Sequence, residues 1–335
     1  MQGFGFIVFG FLASQCFSGF IAFGFDQREN DFKRVSDFRN CNECDLKAYN
    51  FDDRELSYVR FEDSNLKGAS FRRTELGHAN FRNASLRGAV FHDAVLVDAD
   101  FTGADLRGAD FSRAVLDGAN FSNADLSEAK LDRAQLLGTK FTNTKMHRVH
   151  LLNTKLSSAI FDHTDLSYTD FRGMDLSGID FSMCKLVKAN LSNVQAHKSN
   201  FSGCDFSKVN AASIKAQKAL FNRSILTDAD FSYAQLPGSR MDRIQARGLN
   251  LQNGILHGVI SENADFTDVN FMAADLSNAV LRHGNFKQSS LLQSKLEKSD
   301  LCGSILPDGI KAKACLDDQS LFGVDDKDML SLLDD

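Results

Sequence analysis

The fold is decided by a short repeat that is clearest in residues 99–128, which read ADFTG ADLRG ADFSR AVLDG ANFSN ADLSE. Every fifth residue of this stretch, counted from Phe101, is Phe or Leu, and the residue two places before it is Ala. A period of five residues matches neither the 3.6-residue turn of an α-helix nor the two-residue alternation of a β-strand. Such a short period predicts a solenoid, in which each repeat packs only on its neighbours.

The five-residue register continues on both sides of this stretch without an insertion or a deletion. Counting in fives from Leu46 meets Phe51 near one end and both Leu301 and Leu306 near the other. Residues 46–308 are therefore predicted to form one uninterrupted repeat domain.

The residue two places after each Phe or Leu predicts a corner. A type II turn needs a positive φ at its third residue, which favours Gly and Asn. Gly103, Gly108 and Asn123 occupy this position, and Pro237 precedes Gly238 as the preferred pair for the middle of such a turn.

The repeat resembles the pentapeptide-repeat family, whose consensus is A-(D/N)-(L/F)-x-x. Ala104-Asp105-Leu106 and Ala119-Asn120-Phe121 match it as they stand. The resemblance covers roughly four-fifths of the chain. It implies an all-β fold, a single right-handed quadrilateral β-helix with four pentapeptides per coil and short non-repeat caps. About thirteen coils of about 20 residues, at a spacing of about 4.8 Å, would make a rod roughly 60 Å long.

The inward-facing positions show compensating changes of volume. Where the central residue is small, the residue two places before it is large. The pairs are Val194 with Ala196, Val209 with Ala211, Ile214 with Ala216, Ile244 with Ala246, and Val259 with Ser261. Because packed cores tolerate exchanges of volume better than holes, we expect the five large side chains to be buried and the core to stay filled beside the small centres.

Residues 1–25 are predicted to be a hydrophobic leader, either a signal peptide or a membrane anchor. No charge occurs between Gly3 and Phe25, and Ala22 and Gly24 suit a signal-peptidase cut near residue 25. We therefore expect an exported (periplasmic, lumenal or secreted) or membrane-anchored protein. The protein would be cytoplasmic if residues 1–25 are not a targeting segment.

The two ends of the repeat domain require caps. Residues 26–45, with Phe32 and Val35 at helical spacing, are expected to cover the first coil. Residues 309–335 are expected to be an acidic C-terminal cap or tail. Whether this tail covers its own chain or pairs with a second copy to form a homodimer is open.

The cysteines are expected to act locally. After loss of Cys16 with the leader, disulfides within the pairs 41/44 and 302/315 are plausible outside the cytoplasm. A four-cysteine zinc site from these pairs is excluded because they lie at opposite ends of the rod. Cys184 and Cys204 are expected to be buried, reduced neighbours.

No catalytic, cofactor-binding or metal-binding residue is predicted. The sequence contains no phosphate-binding Gly loop, HExxH or GxSxG motif, and its histidines are scattered over the repeats. The many Asp residues that precede the central Phe and Leu are interpreted as turn residues, because Asx side chains bind backbone amides at turns.

The charges also argue against a nucleic-acid site. The net charge is −6. In steps of twenty, Lys145, Asp165, Lys185 and Asp205 alternate in sign, which predicts at least one ion pair between coils. The pairs Lys188 with Lys208 and Lys198 with Lys218 would form a belt on opposite sides of the rod, without interleaved aromatics.

These features favour a non-enzymatic structural or protein–protein interaction rod, with a protein partner and no cofactor. The alternative follows from the family resemblance. Some pentapeptide-repeat proteins resemble duplex DNA in size and charge, and they inhibit or protect a DNA-processing enzyme such as gyrase. This chain departs from such members in its lysine belt and its hydrophobic N-terminus.

Overall fold

The computed structural model describes residues 27–156 and 158–312. The chain begins there with one α-helix, α1, at Gln27–Phe38. Val35 is buried, and the ring of Phe32 stacks on Tyr49 with a centroid distance of 4.8 Å. The apolar face of α1 therefore packs against the first coil. The hydrophobic leader predicted for residues 1–25 lies outside the described residues, and among those residues no helix is long and apolar enough to span a membrane.

The rest of the described chain is a β-helix of very short strands. Single-residue β-bridges occur every five residues, and each one pairs a residue in parallel with the residue twenty places later. This ladder runs from Asn40–Arg60 to Asn285–Ile305, and an antiparallel bridge between Ile305 and Lys311 follows. The twenty-residue coil is confirmed. The ladder is interrupted at one place in the described ranges, between residues 146 and 185.

The core consists of stacked Phe and Leu side chains. Phe91 and Phe111, one coil apart, stack with ring planes 2° from parallel and centroids 4.7 Å apart. Phe101 meets Phe111 edge to face at 5.6 Å. Aromatic contacts of these two kinds add about 0.5–1.5 kcal/mol each to the free energy of burial. The regular core therefore favours one register over all others.

Every corner places a residue in the left-handed region of backbone space. Gly103 has φ 72° and Asn123 has φ 62°, as the turn chemistry predicts. Arg113 and Lys188 adopt φ 63° and 56° at the same position. The repeat therefore tolerates ordinary side chains at a conformation that favours glycine.

The compensating core pairs are confirmed. Val194, Val209, Ile214, Ile244 and Val259 are buried, and so are the small residues that follow them. Exchange of volume between the two inward positions thus keeps the core filled.

Buried hydroxyls add a second internal ladder that the sequence did not predict. At most positions where Thr or Ser replaces the inward Ala, its hydroxyl donates to a backbone carbonyl of the preceding coil. The hydroxyls of Ser224 and Ser294 instead bond within their own coil, and that of Ser289 has no partner in the described residues. Thr144 bonds to the carbonyl of Phe121 at 2.7 Å, and Ser199 bonds to that of Leu176 at 2.7 Å. These hydrogen bonds satisfy polar groups that burial would otherwise leave without partners.

The prediction of an ion pair in the column Lys145–Asp165–Lys185–Asp205 is wrong, although its register is right. Successive members form β-bridges, but no ion pair of the described residues joins two of them. Oδ1 of Asp165 instead accepts hydrogen bonds from the amide and the hydroxyl of Ser167, at 3.1 and 2.6 Å. The aspartate turns toward its own corner, because the local bond orders fewer side-chain torsions than an ion pair with a lysine.

The cysteine predictions can be tested in part. Cys41 and Cys44 form a disulfide with Cα atoms 5.4 Å apart, and Cys184 and Cys204 are free and buried. Cys302 is also disulfide-bonded. Its expected partner, in the acidic tail, lies outside the described residues.

Candidate interaction surface

The histidines do not converge on a catalytic group in the described part of the chain. The ring of His78 stacks on Tyr58 at 4.9 Å, and the ring of His147 meets Tyr168 edge to face at 4.8 Å. Both contacts join neighbouring coils, and they belong to different corners of the rod. They are packing contacts rather than parts of one site.

One group of three potential metal ligands occurs in the described ranges, at Asp31, Cys41 and Cys44. The two sulfurs are joined to each other, so neither is available as a thiolate. The buried carboxylate of Asp31 accepts a hydrogen bond from the amide of Asp45 at 3.0 Å and lies 3.5 Å from Arg34. The bond from Asp45 fastens α1 to the first coil, and the contact with Arg34 lies within the helix.

The aspartates that precede core residues hold the turns, as the sequence suggests. Oδ1 of Asp275 accepts hydrogen bonds from the hydroxyl of Ser277 at 2.5 Å and from its amide at 3.0 Å. The bond from the Ser277 hydroxyl is the main cause that holds the pKa of Asp275 below its usual range. A carboxylate engaged in this way belongs to the framework of the rod.

Four exposed basic side chains lie in one line on a corner of the first coils. They are Lys47, Lys67, Arg87 and Arg107, each twenty residues after the last. Backbone bonds hold this line in register, since the amide of Ala48 donates to the carbonyl of Lys67 at 2.8 Å and the pattern repeats upward. At the usual strand spacing, the four residues span roughly 14 Å. We name them the basic ladder.

Three members of the basic ladder form no direct ion pair in the described residues. Lys47, Lys67 and Arg87 take part in no ion pair there, whereas Arg107 holds both oxygens of Asp105 at 2.7 and 2.6 Å. The bond from Arg107 is the main cause that lowers the pKa of Asp105 and, in return, raises the pKa of the guanidinium. The charge of Arg87 also acts on Asp105 at longer range, so this carboxylate offsets part of the ladder's positive charge, and the excess lies mainly at Lys47 and Lys67.

At a neighbouring corner, four charged residues of alternating sign form a column that holds adjacent coils together. Asp53, Arg73, Asp93 and Arg113 alternate in sign at the same twenty-residue spacing. Arg73 lies 2.6 Å from Asp53, and Arg113 lies 2.7 Å from Asp93. Opposite charges on adjacent strands stabilise a register, and like charges destabilise it. The like-charged basic ladder thus costs stability and requires another explanation than register.

Glycines border the basic ladder and leave its corner bare. Gly68, Gly88 and Gly108 follow the upper three cations, with φ between 65° and 66°. A Cβ atom at any of the three would meet nothing within 4 Å. Other corners carry Arg, Lys or Asn at this position. The missing side chains let another chain approach the backbone beside the cations.

The sequence predictions did not include the basic ladder. The predicted charge column occupies the position before each core residue, and the ladder occupies the position after it. The predicted lysine belt does exist as exposed residues. Lys188 lies over the ring of Tyr168 at 5.3 Å. Lys198 and Lys218 stand on the side of the rod opposite the ladder's corner, because they are eleven residues, about half a coil, out of phase with it.

Comparisons with known proteins agree with this architecture. A model described as a pentapeptide repeat region matches residues 31–111, 114–191 and 144–216, and one described as pentapeptide repeats matches residues 94–133, 204–243 and 270–306. No curated protein sequence matches the chain.

Several solved structures are similar to parts of the chain. HetL, a pentapeptide repeat protein from the cyanobacterium Nostoc sp. strain PCC 7120, is 22% identical, with a TM-score of 0.28 over 84% of this chain and 97% of that chain. The plasmid-mediated fluoroquinolone resistance protein QnrB1 is 20% identical, with a TM-score of 0.38 over 62% and 91%. A pentapeptide repeat protein of the Arabidopsis thaliana thylakoid lumen is 34% identical, with a TM-score of 0.20 over 32% and 65%.

Because these family models match more than half of the chain and its coils have the five-residue register, the chain belongs to the pentapeptide repeat family.

Proposed function

We propose that this chain is a non-enzymatic protein-interaction rod whose basic ladder binds an acidic segment of a partner protein. The observation that carries the proposal is the line of Lys47, Lys67 and Arg87, exposed and in no direct ion pair in the described residues, beside a bare glycine corner. A surface that keeps like charges stacked at a cost to folding is one that gains from an opposite charge on a partner.

A short acidic protein segment suits this surface better than a nucleic acid does. The ladder is a single line roughly 14 Å long, and no aromatic side chain of the described residues lies along it to stack bases. The whole chain carries a net charge of −6, which repels a long polyanion. A short segment interacts with the ladder mainly within a Debye length of about 8 Å, where the local charge is positive.

The alternative role, a DNA-mimicking inhibitor or protector of a DNA-processing enzyme, has less support. Mimicry of duplex DNA requires negative charge along the rod. The basic ladder and the belt lysines Lys198, Lys208 and Lys218 interrupt any such surface. QnrB1 is similar to this chain in fold, and this similarity does not support the role.

A binding assay with matched variants tests the proposal. The probe is a fluorescent glutamate-rich peptide at low ionic strength. The ladder variant carries Lys47→Gln, Lys67→Gln and Arg87→Gln. The control variant carries Lys198→Gln, Lys215→Gln and Lys218→Gln, which change the net charge equally on the opposite side of the rod.

We expect the ladder variant to bind the peptide about tenfold more weakly than the wild type, and the control variant to bind it nearly as well. Equal losses in the two variants would mean that only net charge matters, and the proposed site would be wrong. Tighter binding of duplex DNA than of the peptide, lost in the ladder variant alone, would replace the protein partner with a nucleic acid.

A further inference from the structure

The ladder of β-bridges is interrupted between the coil of residues 146–165 and the coil of residues 166–185. Three successive bridges of the described residues are missing, those that would join His150 to Asp170, Lys155 to Asp175 and Ile160 to Asp180. On the fourth side of the rod, Lys145–Asp165 and Asp165–Lys185 are intact. The two coils are thus separated on three sides and joined on one.

The backbone groups along this opening have lost their usual partners. In closed coils the amide of a core residue bonds to the next coil, as Met146 does to the carbonyl of Asp165 and Leu166 to that of Lys185, both at 2.8 Å. The amides of Leu151, Leu156 and Phe161 make no such bond within the described residues. Paired backbone groups are the rule in a closed sheet, so this edge is exceptional for the fold.

Three contacts still cross the opening near its closed side. The thiol of Cys184 donates to the carbonyl of Phe161 at 2.8 Å, and the rings of Phe161 and Phe181 stack at 5.0 Å. The hydroxyl of Thr169 donates to the carbonyl of Met146 at 3.3 Å. These contacts hold the two coils together at one edge of the opening.

The cause lies in the inward-facing side chains of the upper coil. Met174 and Ile179 occupy inward positions that usually hold Ala, Ser or Thr, and the central residues that follow them, Leu176 and Phe181, are large as well. In closed coils a large residue at this position is offset by small inward residues of the same coil, as Ile214 is by Ala216. Leu249 is likewise offset, by Ala246 before it and Gly254 after it. Excess volume in a packed core forces side chains and backbone to shift. Met174 is accordingly only partly buried.

The opening forms a surface groove of about 730 Å³. Leu152, Met174 and Ile179 line it together with the polar residues Lys155 and Arg172. Leu152 is 67% exposed although it is a large apolar side chain. The groove also exposes part of the inward-facing side chain of Met174, which a closed coil would bury.

We propose that excess volume at Met174 and Ile179 makes this part of the rod a hinge, about which two stiff halves bend along the side that carries Asp165. The hinge goes beyond the proposed partner binding, because its evidence lies in the core and not in the basic ladder. Bending would alter the relative direction of the ladder and the C-terminal coils, and so adapt one rod to partners of different shape.

Hydrogen–deuterium exchange on the full chain tests the hinge. Residues 150–163 are compared with residues 130–143, which occupy the same register one coil lower. In the wild type we expect the backbone amides of residues 150–163 to exchange about tenfold faster or more, because the lost bonds expose them. Equal protection in the two segments would overturn the hinge.

Matched variants test the cause. Met174→Ala with Ile179→Ala restores the usual small residues, and we expect exchange in residues 150–163 to slow to the level of residues 130–143. Val194→Ala removes buried volume in a closed coil, and it should leave the contrast between the two segments unchanged. Fast exchange that persists in the double variant, or that disappears in the Val194→Ala control, would refute the proposal.

Discussion

The large side chain of Ile214 compensates for the small one of Ala216. We therefore expect the free energy of unfolding to depend on the combined volume of these two side chains and not on which position holds the larger one. Both side chains are fully buried. Ile214→Ala opens a hole and should lower the free energy of unfolding by about 2–5 kcal/mol. Ala216→Leu alone overfills the same coil and should cost about 1–3 kcal/mol. Ile214→Ala with Ala216→Leu recreates the arrangement of the typical repeat, small residue first and large centre second.

The double variant should therefore lie within about 1.5 kcal/mol of the wild type, although independent costs would add to about 3–8 kcal/mol. Urea unfolding followed by circular dichroism measures all four proteins, provided that the slope of the transition stays constant. The reverse exchange in the next coil, Ala234→Ile with Leu236→Ala, is the matched control and should be tolerated equally. A double variant as unstable as the sum of its single changes would refute the volume argument.

Three further predictions follow from buried groups and from the leader. Thr144→Val removes the hydroxyl that bonds to the carbonyl of Phe121, and it should lower the free energy of unfolding by about 1 kcal/mol in the same urea assay. Burial raises the pKa of the Cys184 thiol, so at about pH 9 iodoacetamide should modify it only after denaturation, whereas rapid labelling of the folded chain would contradict its burial. If residues 1–25 are an exported leader, intact-mass analysis of protein from its native host should show a chain that begins near residue 25, and a soluble species that begins at Met1 would contradict export.

The sequence was sufficient for the parts of the fold that depend on a repeated local preference. Phe101 and Leu106 recur every five residues, so the register, the inward face and the corners follow from one motif. The exchange of volume at Ile214 was also readable, because both partners lie two residues apart in the chain. In these cases the residues responsible for a feature lie within one repeat or recur every five residues, so the sequence alone shows them.

The sequence was insufficient where two local preferences compete. Asp165 could pair with a lysine of a neighbouring coil or accept hydrogen bonds from Ser167 within its own turn. The structure shows the hydrogen bonds from Ser167. The opening near Met174 was missed for a related reason. Whether a large inward side chain fits depends on the space that the other inward side chains of its coil and of the neighbouring coils leave free. The five-residue pattern shows only which residues face inward.

The basic ladder could not be predicted from the five-residue repeat, because its members belong to different coils and stack in a column only after folding. Lys47 and Lys67 are unremarkable within their own pentapeptides. They become a ladder only when residues twenty apart are placed side by side, at the position that follows each core residue. Their lack of partners could be seen only once the side chains of neighbouring coils had been located.

Zero-length crosslinking of the glutamate-rich peptide to the wild-type rod shows directly where on the rod the peptide binds. A carbodiimide joins a carboxylate to a lysine amine only where the two are in contact, and mass spectrometry then identifies the modified lysine. If the basic ladder binds acidic segments, crosslinks should concentrate at Lys47 and Lys67 and should fall as salt is raised. Crosslinks spread evenly over the exposed lysines, or concentrated at Lys198, Lys215 and Lys218, would contradict the proposed interaction surface.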